Sequence, residues 1–147
     1  MKILEVLQSA DNADYCENPP EFNRSLTAQR IIQIKEDLNN ITGFDFSIFW
    51  SVQEATYFSE LTLRSPFQEN GYIFVRFSYF GNFFIIFSEP ESNNIPHDFI
   101  TNIIDICVSR QFIYVENSDL NIPYAGENQN FIGGTWRNRF FGSWDEI

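Results

Sequence analysis

Apolar positions along this chain recur at two spacings, and the change from one to the other marks out the elements. Between Ser25 and Gly43 the residues Leu26, Ile31, Ile34, Leu38 and Ile41 return every three to five positions, with polar residues in the gaps. Side chains three or four apart share one helix face, and glycine is favoured just past a helix end. The spacing predicts a helix over about 26–40. From Phe44 the period drops to two, with Phe44, Phe46, Ile48 and Trp50 alternating with Asp45 and Ser47. That is the pattern of a strand with one covered face. Runs of similar aromatic and β-branched character cover 55–63, 72–79 and 82–87. Ser65-Pro66 with Glu69-Asn70-Gly71, and then Gly81-Asn82, separate them. Such short links join antiparallel neighbours.

In the run 72–79, Ile73, Val75, Phe77 and Tyr79 oppose Phe74, Arg76 and Ser78, so one face is expected under helices and the other partly polar. The run 83–87 is apolar on both faces and reads as a central strand, or one whose second face is covered. After a turn at 89–94, Pro96 and Asp98 open a second helix that ends near Ser109. Its buried stripe is expected to hold Phe99, Ile100, Ile103, Ile104, Cys107 and Val108. A short strand over 111–115 follows. Residues 8–24, closed by Pro19-Pro20, read as a loop, and 116–126 as extended and turn-rich. Thr135 is placed to cap a short helix carrying Trp136, Phe140 and Trp144 on one side. No repeat or linker divides the chain. The expected fold is a single α+β domain, an antiparallel sheet of about four to five strands packed against two main helices.

Composition supports a packed core. At 147 residues, 44% of them hydrophobic and 17 of them Phe, the chain is long enough to bury roughly two-thirds of its unfolded surface without a metal or disulfide. Cys16 and Cys107 form no CxxC pair, so a reducing cytoplasm is the expected setting and Cys107 an expected core residue. The start, Met1 to Leu7, carries Glu5 inside its apolar run and lacks a small-residue cleavage site, unlike a signal peptide. The longest apolar stretches are far short of the ~20 residues a spanning helix needs, so a soluble, non-membrane protein is expected.

Charge narrows the partners. With 20 acids, 9 bases and a formal net charge of −11, the chain repels phosphate backbones, which proteins bind chiefly through Lys and Arg. A basic protein would be drawn in. The motifs of the commonest chemistries are absent: there is no GxSxG, HExxH, GxxxxGK or GxGxxG. His97, the one histidine, sits behind a proline at a helix start and reads as a surface or capping residue rather than a general base. One histidine and two separated cysteines cannot close a zinc site, and Asp11-Asn12-Ala13-Asp14 lacks the glycine and distal glutamate of a calcium loop. No catalytic, cofactor or metal residue is assigned. Arg137 and Arg139 lie among Trp136, Phe140, Phe141 and Trp144. The expectation is that this segment lids the sheet with both guanidiniums neutralised by nearby acids.

The stretch Phe112-Ile113-Tyr114-Val115 through Pro123-Tyr124-Ala125-Gly126 to Thr135-Trp136-Arg137-Asn138-Arg139-Phe140-Phe141 resembles the ends of small acidic bacterial immunity proteins of polymorphic-toxin and contact-dependent growth inhibition systems. The resemblance covers about the last 35 residues and the general α+β pattern. It implies a monomer or homodimer that binds and neutralises a cognate toxin domain, commonly a basic nuclease, without catalysis of its own. No contact residue transfers from that group. On physical grounds the carboxylates of Asp11, Asp14, Glu17, Glu89 and Glu91 are the expected contact surface. The alternatives are a small enzyme using acidic residues in an unrecognised pocket, and a structural or adaptor subunit.

Overall fold

A computed structural model describes residues 3–15, 22–50 and 58–142. The helix α1 (Ile3–Ala10) comes first and α2 (Arg24–Thr42) follows. The Asn23 side chain starts α2 by accepting the Leu26 N–H at 3.0 Å. Gly43, at φ 77°, stops it and donates its N–H to the Asn39 carbonyl; a left-handed residue there is cheap only for glycine. Thr27, Ile31, Ile34 and Leu38 form the buried line of α2. Leu26 and Ile41 of the expected stripe are 42% and 59% exposed. At 3.6 residues per turn Leu26 lies about 140° around the helix from Ile31, so it cannot share that line.

Strands β1 (Ser47–Phe49), β2 (Phe58–Arg64), β3 (Tyr72–Ser78) and β4 (Phe83–Glu89) pair consecutively and antiparallel. The described strands begin or end within a few residues of the expected runs, and 55–57 lie outside the described residues. From β4 the chain crosses through α3 (His97–Ser109) and returns as β5 (Ile113–Tyr114), which pairs with β4 in parallel. A helical crossover brings a strand back in the same direction, so the sheet is mixed rather than wholly antiparallel. Arg110, just past α3, holds Asp37 of α2 at 2.9 Å.

Helices α2 and α3 cover one face. Ile31, Ile34 and Leu38 meet Leu61, Ile73, Val75, Phe77 and Phe84 from the sheet, and Phe99, Ile103 and Cys107 from α3. Ile106 belongs to the buried stripe of α3, while Val108 is 50% exposed. The opposite face is covered as well. Leu7 of α1, Leu120 in a short 3-10 turn, Tyr124, and Trp136, Phe140 and Phe141 of α4 (Trp136–Phe141) pack on Phe74, Phe80, Phe83, Ile85 and Phe87. This face of β3 is partly polar as expected, with Arg76 and Ser78 on it, but it is wholly interior, residues 73–78 all being buried, and α4 lies over it as expected of the terminal segment. Gln8, Ser9 and Ala10 are the end of a helix rather than a loop. The arrangement is α+β, with a sheet between two outer layers.

Thr135 caps α4 as expected: its hydroxyl accepts the Asn138 N–H at 3.2 Å, and its own N–H donates to Asn138 Oδ1 at 3.0 Å. Trp144 lies outside the described residues. Thr135→Ala, which removes one side of this capping box, is expected to cost about 1 kcal/mol, read as a lower midpoint in urea unfolding.

Candidate functional site

Strand β5 is only two residues long, while β4 runs for seven. Beyond Tyr114 the chain leaves the sheet for the 3-10 turn Asn117–Leu120, and a groove of about 740 Å³ opens beside the rest of β4. Ile86, Phe87, Ser88 and Glu89 form one wall. Ile95 and Ile100, before and within α3, line it on one side, and Glu116, Asn117, Ser118 and Asn121 on the other. Glu91 and Ser92 line it too. Glu89, Glu91 and Glu116 are exposed, and no described residue lining the groove is a Lys or Arg. Burial first, and then the Glu116 carboxylate, push the phenol of neighbouring Tyr114 up to about 12.

Among the described residues, two further carboxylates lie inside the molecule. Glu60 in β2 faces Arg76 in β3; Arg76 Nε donates to Glu60 Oε2 at 2.6 Å and both side chains are all but sealed from solvent. Arg76 Nη1 donates to the Phe141 carbonyl at 2.8 Å, and its guanidinium lies 4.0 Å from the Phe58 ring centroid. Burial pushes the Glu60 carboxyl above its ordinary range against the pull of the Arg76 charge and hydrogen bond. The ion pair therefore ties two strands to α4 through the second face of the sheet.

The other inner carboxylate is Asp11. Arg139 Nε donates to Asp11 Oδ1 at 2.6 Å, and Tyr124 Oη donates to Oδ2 at 2.6 Å. The Glu127 N–H also donates to Oδ2. Arg139 Nη2 and Asn128 Nδ2 both donate to the carbonyls of Asn12 and Tyr15. The guanidinium of Arg139 stacks between rings, 4.2 Å from the Phe80 centroid and 4.8 Å from that of Phe131. A Cβ at Gly126 would run into the Asp11 carboxylate and the Tyr124 hydroxyl, so glycine is required where the chain passes this knot. Burial alone would raise the Asp11 carboxyl, but the hydrogen bonds from Tyr124 and Arg139 and the Arg139 charge outweigh it and hold it below its ordinary value.

The five expected contact carboxylates thus part company. Glu89 and Glu91 share the groove, and Glu116, which sequence reasoning did not single out, joins them. Asp11 is turned inward with its side chain 7% exposed, committed to Arg139 and Tyr124 rather than displayed to a partner. Asp14 is exposed, its N–H donating to Asn12 Oδ1, and is not among the groove residues. Glu17 lies outside the described residues. The Asp11 pairing has a weak trace in the sequence: Arg139 falls in an aromatic segment where a charge demands a counter-charge. Nothing local marks Glu116, because only the crossover through α3 brings it beside β4.

Of the two arginines in the terminal segment, Arg139 takes an acid as expected. Arg137 donates to Asn117 Oδ1 at 3.0 Å and to the Gly142 carbonyl at 2.7 Å, and its charge acts on the Glu60 carboxylate. His97 is exposed at the start of α3, and Cys107 is buried with its thiol pushed up by that burial. Among the described residues no group of His, Cys, Asp or Glu is placed to hold a metal ion, and no helix is long and apolar enough to cross a membrane. The chain matches no protein-family model, no curated protein and no solved structure.

Proposed function

We propose that this protein acts by binding a basic partner protein, and that the partner is the toxic domain of a bacterial competition system whose action it blocks. The observation that carries this reading is the groove beside β4, where Glu89, Glu91 and Glu116 stand exposed with no base among the lining residues. In a chain of net charge −11 those carboxylates attract a cationic surface over distance and speed its docking. The apolar wall of Ile86, Phe87, Ile95 and Ile100 supplies the water-excluding contact that long-range attraction lacks. The inner ion pairs serve the fold: Glu60 and Asp11 are already matched to Arg76 and Arg139.

The test is growth of bacteria expressing the domain encoded directly upstream of this chain, with and without the chain. Specific rescue and a co-purifying complex are expected. A harmless neighbour, or failure to rescue a toxic one, would sink the reading. Changing Glu89, Glu91 and Glu116 together to Lys is expected to weaken the complex by a factor of ten or more, about 1.4 kcal/mol upward, and to reduce its sensitivity to salt. All three side chains are exposed, so the melting temperature should stay close to that of the parent.

A further inference from the structure

The groove holds an unfinished sheet edge. Ile113 N–H donates to the Asn82 carbonyl at 2.8 Å and Val115 N–H to the Phe84 carbonyl at 3.0 Å, so residues 82 and 84 direct their amide groups toward β5. Alternate residues of a strand aim their amides to the same side, and the pairing of β4 with β3 runs in register from Phe84 to Glu89 without interruption. The N–H and carbonyl groups of Ile86 and Ser88 therefore point away from β3 and into the groove. The ladder to β5 stops at Phe84, and outside the strand ladders neither Ile86 nor Ser88 makes a hydrogen bond to a described residue through its main chain. An exposed strand edge is a ready template for another strand.

We propose that an extended, basic segment of the partner pairs with β4 at Ile86 and Ser88 and extends the sheet where β5 stops. Main-chain hydrogen bonds to those two residues fix its position, and alternating side chains read the two sides of the groove. On the side of α3 they meet Ile86, Ile95 and Ile100; on the other they meet Glu89 and Glu116. The fitting sequence alternates apolar and cationic residues, and the charge of the groove selects it over an acidic strand. The inference deepens the acidic-groove reading and takes the sign of the partner's charge from it.

The test uses the whole protein, labelled for amide exchange, and a capped octapeptide alternating valine and lysine. Two analogues carry N-methyl groups, one on its valines and one on its lysines. Saturable binding is expected, with exchange at the Ile86 and Ser88 amides slowed at least tenfold. One analogue should bind at least tenfold more weakly, because methylation removes the donors from the pairing edge in one direction of the strand only. No binding at millimolar peptide, equal binding of all three peptides, or unchanged exchange at Ile86 and Ser88 at saturation would each overturn edge pairing. Rescue from a toxin that protects other surfaces would leave the functional reading standing without this one. Edge pairing without any toxin rescue would do the reverse.

Discussion

Cutting Trp136 back to alanine is expected to destabilise the fold by about 3–5 kcal/mol. The ring is fully buried, stacked on Phe140 at 5.7 Å and edge-on to Tyr124 at 4.7 Å, in the cluster that also holds Leu7, Phe80 and Phe83. Removing it opens a cavity among groups held by the sheet on one side and α1 on another, which leaves little room to collapse. One term works the other way. The indole Nε1 is buried without a hydrogen-bond partner among the described residues, and truncation relieves that desolvation penalty. Trp136→Phe should accordingly cost clearly less than Trp136→Ala. For a chain of this size the alanine variant should lower the melting temperature by roughly 6–20 °C. Loss of partner binding with unchanged melting would instead place Trp136 in an interface.

Asp11→Asn carries the second large effect, also about 3–5 kcal/mol. Asparagine keeps the shape of the side chain but removes the charge opposite Arg139, whose side chain is fully buried. A buried cation that loses its counter-charge costs far more than the pair contributed when whole. The sign of the pH dependence follows from the direction of the shift. Asp11 is held below its ordinary pKa, so its contribution is complete above the unfolded-state value of about 3.9 and is lost as pH falls through the folded-state value beneath it. Glu60, pushed upward by burial, acts in the opposite sense: its contribution is present below the unfolded-state value and fades as pH rises through the folded one. Thermal melts from neutral pH downward should show the parent losing stability most steeply in the acid range. The Asn variant, already weaker at neutral pH, should show a shallower loss there. Equal slopes would mean that Asp11 is not responsible.

Helices α2 and α3 and the antiparallel pairing of β1 to β4 were readable because each obeys a local period, whereas α1 and the parallel return of β5 were not. Ile31, Ile34 and Leu38 fall on one helical line, and Ile73, Val75 and Phe77 on one side of a strand, whatever lies around them. The terminal segment lids the sheet as expected; what could not be read locally is that the partly polar row of β3 lies beneath it. Phe74, Arg76 and Ser78 alternate with the core positions just as a solvent-facing row would, and only the return of α4, more than 55 residues later, turns that row into interior. Arg76 looks polar in sequence, and its match to Glu60 depends on the β2–β3 register. The contact carboxylates fail for the same reason. Asp11 has the composition of a surface loop residue, and its partner stands 128 positions away. Glu89 and Glu91 flank a proline turn whose exposure sequence does indicate, but the groove they line depends on where β5 stops.

The knot between Asp11 and Arg139 also sets an order of events during synthesis. Every buried residue of the cluster under α2 and α3 has been made once Phe112 is in place. The opposite face has by then received, among the described residues, Ile3, Val6, Leu7 and Ala10 of α1 and Phe22 from its eventual cover, while Trp136, Phe140 and Phe141 have yet to be translated. A growing chain therefore passes through a stage in which Phe74, Phe80, Phe83 and Phe87 are aligned on a formed sheet with nothing from α4 over them, the kind of sticky surface that chaperones recognise. Expression that is slowed or stalled between residues 112 and 136 should favour aggregation over folding, and the last layer should be the one most often missing from truncated product.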